Sequence, residues 1–267
     1  DDFIYGFDIR SFNKLLEHAE VFKNFYGSSK QFVFDNLKKG KNVILIRKKK
    51  IDLSIISQVK NLRDIIKKDD MVFVAAALAP VKNKKMYDYN IKIAKNISKI
   101  FEKIKFRKFI YLSSDAVYSD VSYKISETSK TFPKSIHGQM HLRREKIFKK
   151  LTNDELITIR PTLVYGPKDP HNGYGPNKFI RSSKKNFLIN LFGKGEELRD
   201  HIYIDDLVKI IEKIIYGNFR GIFNIASGKT ISFFQIANVI KNSSSKRINL
   251  SFNQRKGPIP HKGYRAF

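Results

Sequence analysis

Two imidazoles four residues apart are the most reactive pattern in this chain. They are His137 and His141, in the stretch Ser135-Ile136-His137-Gly138-Gln139-Met140-His141. A free imidazole titrates near pH 6.5, so it can give or take a proton at neutral pH without assistance. On a helix, a spacing of four puts both rings on one face, one turn apart. Such a pair serves either proton transfer or a metal. A metal site needs further ligands, and no third histidine or carboxylate converges on the pair in sequence. Proton transfer is the better reading, with His137 as the acid/base and His141 tuning it. A hydroxyl to orient the reacting oxygen is available at Ser114, in Tyr111-Leu112-Ser113-Ser114-Asp115-Ala116.

The elements around these residues must bring Ser114 and the histidines together. Short apolar runs at Asn42–Ile46, Met71–Ala76, Lys108–Ser113, Ile157–Arg160 and Gly221–Ile225 read as strands. All are rich in Val, Ile and Phe, as strands covered on both faces require. Between them, Tyr87, Ile91, Ala94, Ile97, Ile100, Phe101 and Ile104 recur at steps of three and four, which predicts an amphipathic helix. Gln139–Leu151 and Ile204–Tyr216 read the same way. Strands alternating with crossover helices give a doubly wound, parallel α/β sheet of the Rossmann type. Residues 168–198 break the rhythm with Pro170, Asn172, Gly173, Gly175, Pro176, Gly193 and Gly195. That punctuation predicts a loop-rich insertion. It follows a strand end, where ligands bind in open α/β sheets.

Composition narrows the class. At 267 residues and 42% hydrophobic, the chain can bury one full core. No run approaches the roughly 18 apolar residues of a membrane span, and Asp1-Asp2-Phe3-Ile4-Tyr5 lacks the pattern of a signal peptide. Without cysteine there is no disulfide framework, thiolate nucleophile or thiolate metal site. A cytoplasmic protein is expected. The net charge of +27 is spread along the chain as lysine, which points to compositional bias. It keeps a nucleic-acid partner in view only as a lesser alternative.

A dinucleotide fold needs glycine after its first strand, where the backbone must approach a pyrophosphate at a helix N-terminus. Here Phe25-Tyr26-Gly27-Ser28-Ser29 runs directly into Lys30-Gln31-Phe32-Val33. Four further residues of the type Gly-Phe-Ile-Gly between Ser29 and Lys30 would complete the fingerprint. The loop is either truly short or lacks residues at that junction. The second is favoured, because a four-residue deletion would drag the helix off the strand end. Missing residues would separate the Cα atoms of Ser29 and Lys30 by more than about 3.8 Å. After the second strand stand Arg47 and Lys48, cations that suit a 2′-phosphate.

These pieces, in this order, resemble the extended short-chain dehydrogenase/reductases, the NAD-dependent epimerase/dehydratase family. The resemblance runs from about Phe22 to Ile240. It rests on Asp70-Met-Val-Phe-Val-Ala75-Ala76-Ala77, Ser113-Ser114-Asp115, Arg160-Pro161, Tyr165-Gly166, Arg199-Asp200-His201 and Asn224-Ile-Ala-Ser-Gly228. In that family a tyrosine and a lysine stand where this chain has His137 and His141. The resemblance implies NADP or NAD held by Gly27, Ser28, Ser29, Arg47, Lys48, Ala75, Ala76, Ala77, Asn90, Ser113, His141 and Pro161. It implies a nucleotide sugar held by Asp115, Tyr165, Asn177, Lys178 and Arg199, the last gripping the diphosphate. Ser114, His137 and His141 would be catalytic. Dehydratases of the family carry a glutamate where Ala116 stands, so epimerase or reductase chemistry is favoured.

The expected organisation is one unit over 1–267. Its Rossmann core covers about 21–165 and 202–228, and a substrate-binding lobe covers about 166–201 and 229–267. A homodimer is left open. The alternative is a catalytically inactive relative that senses cofactor or binds RNA.

Overall fold

The computed structural model describes residues 51–152, 155–166 and 173–267. Outside them lie Gly27, Ser28, Ser29, the junction to Lys30, the run Asn42–Ile46, Arg47 and Lys48, and also Pro170 and Asn172. Along the described chain come β1 (Met71–Val74), α1 (Lys84–Phe101), β2 (Lys108–Leu112), α2 (Ile136–Leu151), β3 (Ile157–Pro161) and β4 (Leu163–Tyr165). They are followed by α3 (Pro176–Asn186), β5 (Leu188–Phe192), β6 (Leu198–Tyr203), α4 (Ile204–Tyr216), β7 (Ile222–Ile225), β8 (Thr230–Ser232), α5 (Phe233–Asn242), β9 (Asn249–Asn253) and β10 (Tyr264–Arg265).

Strands β1, β2, β3 and β7 form one sheet in that order, and every pairing is parallel. Side chains alternate across it as the pleat requires. Phe73, Ala75, Ile110, Leu112, Ile157 and Ile159 pack on Leu207, Val208, Ile211, Ile214 and Ile215 of α4. Val72, Val74, Ala76, Phe109 and Tyr111 pack on the other side against Ile93, Ala94, Ile97 and Phe101 of α1 and Phe148 of α2. Each fully buried large apolar side chain contributes roughly 1.5–3 kcal/mol, so the two faces hold the sheet between its helices. The expected doubly wound α/β fold is the one observed.

Side-chain caps set the starts of α1 and α2. The Asn83 side chain accepts from the Met86 amide at 3.0 Å and begins α1. Ser135 accepts from the Gly138 amide at 3.1 Å and begins α2 three residues ahead of Gln139. Ile104 belongs to the periodic pattern but falls past the end of α1, where it packs against the same core.

The segment expected to be loop-rich carries α3 and β5. The reason is a separate core in which Phe179, Ile189 and Leu191 meet Phe233, Ile236, Ala237 and Ile248. The glycines bound these elements rather than dissolve them. Gly195, at φ 71°, lies where a Cβ would come within 2.9 Å of the Phe234 amide nitrogen, so both its conformation and its closeness demand glycine. Strand β5 pairs with β9, and β6 pairs with β4, β8 and β10.

Candidate active site

The turn after β2 and the start of α2 meet through Gly138. A Cβ at that position would stand 2.0 Å from the Ala116 carbonyl oxygen. Glycine therefore lets the helix lie directly on the short 3-10 turn Asp115–Val117. The Ser114 hydroxyl heads that turn, accepting from the Ala116 amide at 3.2 Å and lying 3.3 Å from the Asp115 carboxylate. His137, one residue before Gly138, is half-buried. Its Nδ1 accepts from the Val81 amide at 3.3 Å. A ring nitrogen that accepts carries no proton, so in the neutral ring the proton sits on Nε2.

His141 is of a different kind. It is buried, and its Nδ1 lies 2.7 Å from the Tyr111 hydroxyl. Its ring meets that of His137 edge-on, with centroids 4.7 Å apart. Burial holds His141 well below the ordinary histidine range, and the charges of His137 and Arg144 push the same way. Burial likewise raises the Tyr111 phenol. The pair is thus a neutral phenol on a neutral imidazole. A neutral His141 is not a fixed cation. Next to it, Arg144 is fully buried, with its guanidinium 5.0 Å from the Tyr111 ring centroid and 5.7 Å from that of Phe148. Its three guanidinium nitrogens have no hydrogen-bond partner among the described residues, and the two aromatic faces are the compensation.

A second network anchors the same helix. Glu145 takes Arg160 in two-point contact, Nε at 3.0 Å and Nη2 at 2.7 Å. Ser113 donates to the same carboxylate at 2.5 Å. Arg160 Nη1 donates to the Tyr118 hydroxyl at 2.8 Å, which donates to Asn224 at 2.7 Å. One chain of contacts thus joins α2, the end of β2, β3 and β7. Sequence reasoning singled out Arg160 and Asn224 but missed Glu145 and Tyr118. The signal for Glu145 was its place eight residues beyond His137, on the same face of the helix.

The remaining expected residues fall into groups. Ala75 and Ala76 are buried beyond the carboxyl end of β1, Ala77 is half-buried after them, and Pro161 is buried at the end of β3. Asn90 is fully buried, its amide bound to the backbone of Leu78 on both sides and to Met86. It braces the loop after β1 and presents no atom outward; Ser113 is similarly committed to Glu145. Asn177 accepts from the Gly166 amide at 3.1 Å and fixes the turn after β4, whereas Lys178 beside it is exposed. Tyr165 packs against Tyr203 with the rings tilted by 56° and their centroids 5.3 Å apart. Asp115 is paired with the buried Arg265 at 3.2 Å. Arg199 is buried against Glu197 at 2.5 Å. Among the described residues, no group of three or more His, Asp or Glu is placed to hold a metal ion.

A family model described as the NAD dependent epimerase/dehydratase family matches residues 26–226. The chain belongs to that family. An uncharacterized UDP-glucose epimerase of Bacillus subtilis is 24% identical over 208 residues, 73% of this chain and 65% of that protein. The ADP-L-glycero-D-manno-heptose-6-epimerase of Brachyspira hyodysenteriae is 31% identical over 169 residues, 59% of this chain and 53% of that protein. The chain therefore spans less than two thirds of the length of these curated relatives. Among solved structures, the dTDP-4-dehydrorhamnose reductase of Bacillus anthracis in complex with NADP superposes with a TM-score of 0.74 at 21% identity, over 95% of this chain and 83% of that one. The UDP-glucuronic acid 4-epimerase of Bacillus cereus, in complex with UDP-glucuronic acid and NAD, gives 0.73 at 20% identity, over 95% and 86%. At such identities the superpositions establish the Rossmann-type fold of this epimerase-family chain. No described helix is long and apolar enough to cross a membrane.

Proposed function

We propose that this family member is an NAD- or NADP-dependent epimerase or reductase acting on a nucleotide-activated sugar, with His137 as the proton-exchanging group. The observation that carries the reading is the Gly138 contact, by which the helix that carries His137 lies on the turn that carries Ser114. A nicotinamide dinucleotide, when bound, supplies the hydride donor or acceptor. The fit on the protein side is good at the strand ends, where Ala75, Ala76 and Pro161 offer a small-residue, apolar floor. His141, buried and neutral, does not fit the role of a cation at a ribose.

The chain's own residues then divide the work. Ser114 hydrogen-bonds the reacting sugar oxygen, and His137 takes or returns its proton. Exchange through Nε2 requires the tautomer with the proton on Nδ1, and that tautomer releases the Val81 amide. At 3.3 Å this contact is at the long end for a hydrogen bond and is cheaply exchanged. Glu145 and Arg160 hold α2 in place under the load of binding.

The test is turnover of UDP- and dTDP-sugars with NAD(H) or NADP(H), read by product analysis. His137→Phe should abolish turnover and leave nucleotide-sugar affinity nearly unchanged. His137→Tyr should not restore full activity, because His141 offers a phenol no cation. Wild-type turnover by His137→Phe would sink the assignment.

A further inference from the structure

Glu197 and Arg199, two residues apart, project to the same side of the chain leading into β6. Both are buried, at 3% and 4% exposure. The Glu197 Oε2 accepts from the Arg199 guanidinium at 2.5 Å, while its Oε1 is paired with the guanidinium of Arg255. Arg199 also donates to the Pro260 carbonyl at 2.6 Å and to that of Leu198 at 3.2 Å. Arg255 lies at the open side, its side chain 16% exposed and its guanidinium 5.8 Å from the Phe192 ring centroid. Two guanidinium groups thus converge on the two oxygens of one carboxylate, and the group keeps one net positive charge. This is the geometry by which paired arginines bridge a phosphate.

We infer that Glu197 is an internal occupant of an anion site formed by Arg199 and Arg255, and that it sets how tightly a nucleoside diphosphate binds there. The inference rests on the nucleotide-sugar reading above. A diphosphate reaching these arginines must share them with the Glu197 carboxylate or displace it, and like charges at close range oppose sharing. Arg255, the more exposed partner, is the one to change hands first. Arg199 keeps its backbone carbonyl contacts throughout. Glu197 is therefore a specificity-determining residue: it penalises weakly charged ligands and admits those whose charge outweighs its own.

The experiment is titration calorimetry of the full chain with UDP at fixed ionic strength. Glu197→Gln keeps the shape and removes the competing charge, and should tighten binding by about tenfold, or about 1.4 kcal/mol. Arg255→Met should weaken binding in the wild type and cancel the gain in the double variant. Equal UDP affinity in the wild type and Glu197→Gln would overturn the inference while leaving the nucleotide reading intact. Absence of UDP binding by both, with cooperative melting retained, would overturn the two together. If Glu197→Gln does not fold, Glu197→Asp takes its place. Its arm is too short to reach both arginines, so it should tighten binding by a smaller factor; unchanged affinity would again overturn the inference.

Discussion

Replacing Gly138 by alanine would drive a methyl group to 2.0 Å from the Ala116 carbonyl oxygen, a backbone atom that cannot step aside. The helix must lift off the Ser114 turn, and overpacking of this kind costs at least about 1–3 kcal/mol. Gly138→Ala should therefore lower the melting temperature by several degrees and depress turnover more than nucleotide binding. Gly173→Ala is the control, since among the described residues nothing lies within 4 Å of its added Cβ; it should melt with the wild type. A Gly138→Ala protein with wild-type melting and turnover would show that the contact has no role. The two histidines stood out in sequence by residue type, whereas Gly138 did not. A glycine required by close approach looks like any other until the approaching carbonyl is located.

At the scale of elements, α2 carries His137, the proposed proton-exchanging group, at one end and its anchor at the other. Glu145 balances Arg160 deep in the protein, with side-chain exposures of 9% and 3%. Removing one partner of such a pair strands a buried charge, which typically costs about 3–5 kcal/mol. Glu145→Ala should lose that much in denaturant unfolding, whereas Ser113→Ala, which removes one hydrogen bond to the same carboxylate, should lose about 1.5–3 kcal/mol. Equal losses would mean that the Arg160 contact is not what anchors the helix. The elements that were legible in sequence are those with strong periodicity. Four of the five expected strands are observed as β1, β2, β3 and β7; the fifth, Asn42–Ile46, lies outside the described residues. Helix α4 spans Ile204–Tyr216, as its pattern requires. Residues 168–198 misled because glycine density was weighed above the apolar residues Phe179, Ile189 and Leu191, whose partners lie some fifty residues on and are invisible to a local reading.

Over the whole molecule, stability should fall as the solution is acidified through the histidine range. His201 is held down to about 4, chiefly by burial, and His141 is held low for the same reason. A depressed histidine leaves the unfolded chain binding more protons between pH 6.5 and 4. Stability is then fully present above about pH 6.5 and declines as pH falls toward 4, by up to ~1.4 kcal/mol per pH unit for each such histidine. Urea midpoints measured from pH 7.5 down to 4.5 should drop, and Tyr111→Phe, which leaves His141 buried, should keep most of that slope. A flat profile would mean that both rings take up protons over the same pH range in the folded and the unfolded chain. The charge pattern of the molecule was only partly legible in sequence. The +27 total gave no hint that Arg144, Arg160, Arg199 and Arg265 are all buried.

The ion pair between Arg265 and Asp115 joins positions 150 residues apart. Arg265 lies in β10, which pairs in parallel with β6, and Phe267 just beyond it packs against Tyr118. The wall of the Ser114–Tyr118 turn is thus closed by a segment synthesised long after the turn itself. At about 5–20 residues per second, Asp115 waits on the order of 10 s on the ribosome for its partner. During that interval the sheet of β1, β2 and β3 can form, but the Ser114–Tyr118 turn lacks its clamp. Pulsed hydrogen exchange on nascent chains should find the amides of β2 protected before those of Ala116–Tyr118. Simultaneous protection would mean that α2 alone secures the turn, and that its order does not wait for β10.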